Sequence, residues 1–507
     1  MYSITDSLFW LSLIGIYISF FIAFYIPGYV IVADQKIKQK NAVHVIAITI
    51  GIALWAWQGY IFGQMHLRWL SYLYLLTFAA IFVFKKYYQG ITFPLKAIGN
   101  MDKIILFTVI IGAAAQIMVY IQMGILTSNG VNRVTEDHVW HAGLIRELID
   151  RFPPNEPGMA GIVLKDYHYW FNLTTAEVIR VFHLPALQTQ FIGMYVLASV
   201  LLAFLGYYFA KLIYDNKLFL RLFLFFLFFC GDTSIWLILL LQHKLYLKLD
   251  SLIINGTKFV DSPAFAFSIL IGLTGYYLLF QTKEKLSKKM IIVIALLFGS
   301  LMELKIYTGI TFMMGLASLA CYSFFKKRFD RVAVFIFATI FGAIIFFPNT
   351  SSSGSLFFLP LDIPRDFITQ KVLGFSDWEL RWFIYKDHAN YLRIIQYGIY
   401  MSVLYFFVQF GIQLIGLFPN KKIITTLSFE KALPFYTIVI TGIFLGLFFY
   451  QKVGGANIWE FFLPVGIVLS LLAALNITLF LEDKNKNLRI LIIIAIIIFV
   501  IPRWLVS

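Results

Sequence analysis

Residues 189–213 read TQFIGMYVLASVLLAFLGYYFAKLI, and the first charge in that run is Lys211. An α-helix rises about 1.5 Å per residue, so a run of this length crosses the roughly 30 Å hydrocarbon core of a bilayer. The run lacks the alternation of a barrel strand and the polar face of a helix in a soluble protein. Working outward, apolar runs of the same kind recur at 8–33, 43–62, 68–84, 104–125, 218–241, 262–281, 289–303, 306–325, 331–347, 392–418, 433–451, 457–480 and 488–503. We therefore expect an all-α polytopic membrane protein with about 14 transmembrane helices. Composition agrees: 60% of the 507 residues are hydrophobic and only 13% are charged, against about 45–50% and 25% in soluble chains. A soluble enzyme, a disordered chain and a disulfide scaffold are excluded. The first run has no basic stretch before it and no small-residue cleavage site, so it is expected to be a retained helix rather than a signal peptide. Cys230 and Cys321 both lie in apolar runs and read as buried small residues.

Charge gives the orientation. Seven short loops, at 34–42, 85–103, 211–221, 282–289, 326–331, 419–432 and 482–489, carry 24 of the 41 basic residues and 8 of the 26 acids. Their net charge is +16, and the rest of the chain carries −1, so the whole excess of +15 sits on one side. Basic loops mark the cytoplasmic face. The basic balance matches anionic lipid headgroups and is no nucleic-acid footprint. The same count puts two long segments, 126–188 and 348–391, on the non-cytoplasmic side, together with both chain ends. Loops longer than about 12–15 residues are uncommon unless they serve a function, so the chemistry is expected there.

The first long loop contains TEDHVWHAGLIRELIDRFPP, residues 135–154, and later YHYW, residues 167–170. Leu144, Ile145, Leu148 and Ile149 recur at helical spacing, which predicts an amphipathic helix over 137–150 lying along the outer membrane surface. Thr135 is a candidate N-cap, and Pro153–Pro154 end the helix. A second helix of similar character is expected over 169–182. Glu136 and Asp137 fall in the first turn, where acids favour the helix dipole. Asp137 and His141 are four apart and share a face. With His138 and His168 they form a polar group that reads either as interfacial filling or as a substrate site. Glu136, Asp137 and His141 are the candidate ligands of a divalent cation, although strict zinc spacing is lacking. No other cofactor is indicated.

The second long loop mixes Arg365 and Arg381 with aromatic residues, which suits a phosphate on an apolar tail as well as an ordinary aromatic belt with snorkelling cations. Asp232, in FFCGDTSIWL, sits deep in an apolar run, and Gly231 before it suggests a broken helix. Glu303 and Lys305 lie at the outer tip of a tight helical hairpin. Either they mark the turn or Lys305 offers a cation to phosphate. Glu460, in NIWEFF (457–462), is a polar exception at the outer end of a late run.

The sequence TEDHVWHAGLIRELIDRFPP, followed by P-x-x-x-G-x-x-x-x-x-YHYW, then LKIYTG (304–309) and NIWEFF, resembles the GT-C superfamily of membrane glycosyltransferases. The likeness covers roughly residues 104–480, by layout more than by identity. It implies a GT-C-like core over 104–480 with membrane-parallel helices in its first outer loop, an additional three-helix module at 1–103, and a C-terminal helix at 481–507. The large soluble C-terminal domain of several relatives is missing. The resemblance implies transfer of a sugar from a polyprenyl-phosphate carrier on the non-cytoplasmic face of a bacterial inner membrane, with inversion at the sugar. Asp137 falls where the motif keeps its catalytic Asp. His138, His141, His168, Lys305, Arg365, Arg381 and Glu460 are the expected substrate-binding residues, and Asp232 is a second candidate acid. A carboxylate part-buried at the membrane boundary can take the acceptor's proton. The expected partners are the lipid donor and membrane lipids, with oligomeric state left open. A secondary transporter using the break at Asp232, a lipid-linked polysaccharide polymerase or ligase, and a non-catalytic subunit remain as alternatives.

Overall fold

The computed structural model describes residues 4–35, 37–90, 101–122, 126–127, 130–131, 136–159, 161–243, 259, 262–282, 284–351, 356–369, 373, 375–451 and 455–504. Its helices in chain order are α1 (Ser7–Val32), α2 (Ala42–Gln64), α3 (Leu70–Phe84), α4 (Lys103–Gln122), α5 (Glu136–Asp150), α6 (Trp170–Phe182) and α7 (Ala186–Ile213). There follow α8 (Lys217–Phe229), α9 (Ser234–Gln242), α10 (Pro263–Gln281), α11 (Lys288–Leu304), α12 (Ile306–Phe325) and α13 (Phe329–Phe346). The last are α14 (Asp362–Ile368), α15 (Ser376–Asp387), α16 (Tyr391–Phe410), α17 (Lys421–Leu427), α18 (Phe429–Phe448), α19 (Phe462–Leu481) and α20 (Lys486–Trp504). Among the described residues, strands are confined to two-stranded antiparallel ribbons, Leu126–Thr127 with Gly130–Val131 and Leu356–Phe358 with Phe449–Gln451.

Among the described residues, 9 helices are long and apolar enough to cross a membrane, and the protein is a multi-pass helical membrane protein. Five of the expected spans are not among them. The 68–84 run forms α3, a helix of 15 residues, and α11 has 17. The 104–125 run is described as a helix to Gln122, and the 488–503 run as α20. The 218–241 run is broken: α8 ends at Phe229, Gly231 takes φ 150, and α9 starts at Ser234. The break expected from Gly231 is therefore present.

The chain divides into two compact units, 1–213 with 259–351, and 214–258 with 352–507. In the first, α11 packs against α13, α12 and α10, and α10 packs against α7. Helix α2 packs against α1, α6 and α11, so the N-terminal helices belong to this unit. Aromatic contacts cement that junction. The Trp57 ring meets Trp170 edge-on at 4.9 Å, and Tyr60 stands 5.8 Å from both Trp170 and Phe152. Trp57 also donates its indole N–H to Ser300 Oγ at 2.9 Å, which joins α2 to α11. In the second unit α19 is the centre. Its whole apolar window is buried, and it packs against α8, α18 and the turn Gly411–Leu417. Helices α14 and α15 rest on α16.

Candidate functional site

Helix α5 starts at Glu136 and ends where Pro153 and Pro154 remove backbone donors. The expected cap, Thr135, lies outside the described residues. Leu144, Ile145 and Leu148 are buried, as their spacing predicts. Helix α6 differs from expectation. Its sequence predicts a second surface helix, yet every residue from Trp170 to Ile179 is buried. Its amide, hydroxyl and charged side chains find partners within the protein. Thr174 and Thr175 donate to carbonyls one turn back, and Glu177, fully buried, is gripped by two arginines.

One of those arginines comes from the loop between α2 and α3. Arg68 donates Nε to Glu177 Oε1 at 3.0 Å, and Nη2 makes an ion pair with the same oxygen. It also donates to the carbonyls of Leu148 at 2.6 Å and Ile149 at 3.0 Å, in the last turn of α5. Those carbonyls have no partners inside their own helix. Arg180 completes the group: its Nη2 reaches Glu177 Oε2 at 2.6 Å, Arg68 O at 3.0 Å and Ser71 Oγ at 3.1 Å. A single buried carboxylate thus fixes the relative position of α5, α6 and the α2–α3 loop.

The opposite end of α5 carries the sequence-predicted site residues. Asp137 is exposed there, not part-buried as expected. His138 is buried, with its ring 5.5 Å from Phe191. His141 is half-buried. Asn172 of α6 donates its amide N–H to His141 Nδ1 at 3.1 Å, which leaves Nε2 to carry the ring proton. That nitrogen lies 3.4 Å from the Tyr167 hydroxyl. Tyr167 stacks on His168 at 4.9 Å and meets Trp140 at 4.5 Å. The YHYW segment therefore folds back over the first turns of α5.

The hairpin between α11 and α12 supplies the remaining groups. Its junction residue, Lys305, is extended, at φ −159, ψ 105, and buried, with Nζ 5.7 Å from the centre of the Tyr307 ring. Gly309 permits this tight return, because a Cβ there would stand 2.9 Å from the Leu301 carbonyl oxygen. Glu303 is buried and accepts from Asn349 Nδ2 at 3.1 and 3.3 Å, and from the Tyr169 backbone N–H. The same amide of Asn349 donates to the Tyr167 carbonyl at 2.6 Å, and Asp166 N–H donates to Asn349 O at 2.8 Å. Four distant stretches, 137–141, 166–172, 303–305 and 349, thus share one hydrogen-bonded and electrostatic cluster.

Its electrostatics follow from burial and one ammonium group. Burial pushes the His141 imidazole down to about 4, and the nearby Lys305 charge pushes the same way. The Asp137 carboxylate opposes them. His168 is lowered as well, first by burial, then by Lys305 and His141. Near neutral pH both rings are uncharged. The cluster thus offers one buried ammonium, two neutral imidazoles, a tyrosine hydroxyl and an exposed carboxylate. Such a set can bind an anion at Lys305 and hydrogen-bond hydroxyl groups around it.

The structure brings His138, His141, His168 and Lys305 together, with Asp137 close enough for its charge to act on His141. The other expected residues belong to the second unit. There Arg365 pairs with Asp362 at 2.5 Å, and Arg381 is within 3.1 Å of the Tyr397 hydroxyl, to which it donates. Glu460 is half-buried in the turn Gly455–Phe461. Asp232 is buried and accepts the Ser234 backbone N–H at 2.7 Å, capping the start of α9. Among the described residues no three His, Cys, Asp or Glu side chains are placed to hold a metal ion, and the Glu136 side chain lies outside them. Sequence reading missed Asn172, Asn349 and Tyr167 as parts of the cluster. Only Tyr167 had a local signal, its place in YHYW. Comparisons of the chain with protein families, curated proteins and solved structures find no match.

Proposed function

We propose that this protein is a GT-C-type integral-membrane glycosyltransferase, which moves a sugar from a polyprenyl-phosphate carrier to an acceptor on the non-cytoplasmic face. The observation that carries this reading is the meeting of Asp137, His141, His168 and Lys305, drawn from the first long outer loop and an interhelical hairpin. In this reading all fourteen apolar runs reside in a bacterial-type inner membrane, the basic loops face the cytoplasm, and α5 lies at the outer boundary.

The chemistry is a single displacement. The acceptor oxygen forms a bond to the anomeric carbon as the bond from that carbon to the phosphate oxygen breaks. The bonding pair leaves with the polyprenyl phosphate, whose developing charge the Lys305 ammonium stabilises. The acceptor's proton passes to the Asp137 carboxylate, whose exposure leaves it open to an incoming hydroxyl. The neutral His141 and His168 rings and the Tyr167 hydroxyl offer hydrogen bonds to the sugar without adding charge.

The test uses one folded preparation of each variant. Asp137→Asn keeps the shape and removes the base, so turnover should fall by about 10²–10⁴ while polyprenyl phosphate still binds in native mass spectrometry. Lys305→Met should weaken polyprenyl phosphate more than neutral polyprenol. Near-normal turnover in the Asn variant would reduce Asp137 to a helix-dipole residue, and equal loss of both lipids in the Met variant would remove Lys305 from the phosphate site. One observation favours a secondary transporter instead, the break between α8 and α9. Asp232 at that break serves as a helix cap, which gives it a structural role without a transported ligand.

A further inference from the structure

Helices α5 and α6 are held together by Glu177 and Arg68, yet beside that clamp they leave a cavity of about 480 Å³. Its walls include Ile149, Ile179 and Leu184, and its polar lining is Arg146, Arg180 and His183. Among the described residues, no acidic side chain lines it. The nearest acids are already engaged. Asp150 meets Arg146 Nε at 3.1 Å on the exposed side of α5, and Glu177 is shared between Arg68 and Arg180. Three guanidinium groups against two carboxylates leave an excess of one positive charge at the cavity. Arg180 uses Nε and Nη2 for Glu177, Ser71 and the Arg68 carbonyl, and among the described residues Nη1 has no hydrogen-bond partner.

This combination is selective. Cavities of about 300–1,000 Å³ hold small ligands. A neutral lipid has no use for paired guanidinium groups, which match phosphate oxygens. A free phosphate has no use for isoleucine and leucine walls. A neighbouring feature points to a lipid source. The turn after α5 exposes Met159, Ile162 and Val163 at 57%, 55% and 42%, although all three are apolar. That turn is internally braced, because Glu156 N–H donates to Ile162 O at 2.8 Å. Its Pro157 rests on α5 at Gly143, next to the cavity-lining Ala142. A braced apolar knob beside a cationic cavity is the arrangement expected of a surface that dips into a bilayer.

We propose that the cleft between α5 and α6 binds an anionic membrane phospholipid, its phosphate between Arg146, Arg180 and His183 and the first part of its acyl chains along Ile149, Ile179 and Leu184. The site is separate from the Lys305 cluster and stands whether or not the protein transfers sugars. Arg180 also holds Glu177, so the test avoids it. Arg146 and His183 are exposed and can be changed without opening the clamp.

The experiment is native mass spectrometry of the full chain in neutral detergent. It uses three probes: phosphatidylglycerol, diacylglycerol with the same chains, and inorganic phosphate. Phosphatidylglycerol should survive dilution into lipid-free detergent in a 1:1 complex, at least tenfold more than diacylglycerol, and phosphate alone should not be retained. The double variant Arg146→Gln, His183→Gln should lower that retention roughly tenfold, the scale of two charge-assisted contacts at a part-exposed rim. Ala142→Trp, which fills the cavity and leaves every charge in place, should do the same. Equal retention of diacylglycerol, retention of phosphate alone, or unchanged phosphatidylglycerol binding in both variants would each overturn the proposal. The readout needs no turnover, so failure of the glycosyltransferase reading would leave it unaffected.

Discussion

Lowering the pH should leave His141 uncharged long after an ordinary histidine has taken up its proton. Its midpoint lies at about 4, against about 6.5 for a free imidazole. The difference of roughly 2.5 units is a factor of about 300 in the protonation equilibrium. At pH 5.5 an ordinary ring is about 90% protonated, and His141 should be only about 3% protonated. Burial between α5 and α6 is the larger cause, and the Lys305 ammonium is the next. The assay is NMR of protein labelled with ¹³C at histidine Cε1. The chain has 8 histidines, and the signal lost in His141→Gln assigns this one. Lys305→Met should move the midpoint upward without reaching 6.5, because burial remains. The same difference makes stability depend on pH. The folded state binds this proton less readily than the unfolded chain, so no penalty exists above about pH 6.5. The penalty then grows as pH falls and levels off below about pH 4, at roughly 3 kcal/mol. His168 is shifted in the same direction and adds to the loss. The His141→Gln protein should therefore lose less stability than the parent between those pH values. A parent midpoint above pH 6 would refute the burial of this ring, and a midpoint that does not move in Lys305→Met would refute its electrostatic coupling to the hairpin.

Two further predictions concern the scaffold. Glu177→Gln leaves the half-buried Arg68 and Arg180 beside each other without an anion, and should destabilise the protein by about 3 kcal/mol; a thermal transition unchanged from the parent would show that the clamp contributes nothing. Cysteines placed at the exposed positions Lys165 and Ser376, with Cys230 and Cys321 replaced by alanine, should react with an impermeant thiol reagent in intact cells. Labelling only after permeabilisation would reverse the orientation derived from the basic loops.

Much of the architecture is legible because hydrophobic spans are local. A run such as 263–281 has to be a helix kept from water, whatever it packs against, since water and lipid decide that question residue by residue. The break at Gly231 and the end of α5 at its two prolines are legible for the same reason, because backbone constraints act within a few residues. Cys321 marks where this logic stops. Its run is apolar, yet the side chain is exposed on the protein surface, and an outward face toward lipid looks the same in sequence as an inward one. The cluster around Lys305 was half legible. Its charged and imidazole groups stand out against an apolar background. Asn349, which joins the hairpin to the YHYW segment, is one asparagine at the end of a span, and nothing near it announces a partner 46 residues earlier.

Helix α6 is the instructive failure. Asn172, Thr174, Thr175, Glu177 and Arg180 give it the polar content of a surface helix, and a local reading cannot distinguish a solvated carboxylate from a clamped one. The partner that permits its burial, Arg68, lies 109 residues away in the loop between α2 and α3. Sequence reading treats residues 1–103 as an additional module beside the core. Arg68 gives that segment a mechanical role. It holds the last carbonyls of α5 and the buried carboxylate of α6 at once, so the helix that presents Asp137 and His141 at one end is anchored at the other by the N-terminal helices. An isolated α5 with little apolar area to bury could not keep two polar side chains in register with a lysine from a distant hairpin. The buried Arg68–Glu177–Arg180 group supplies that register, and the site depends on a contact that no local pattern could reveal.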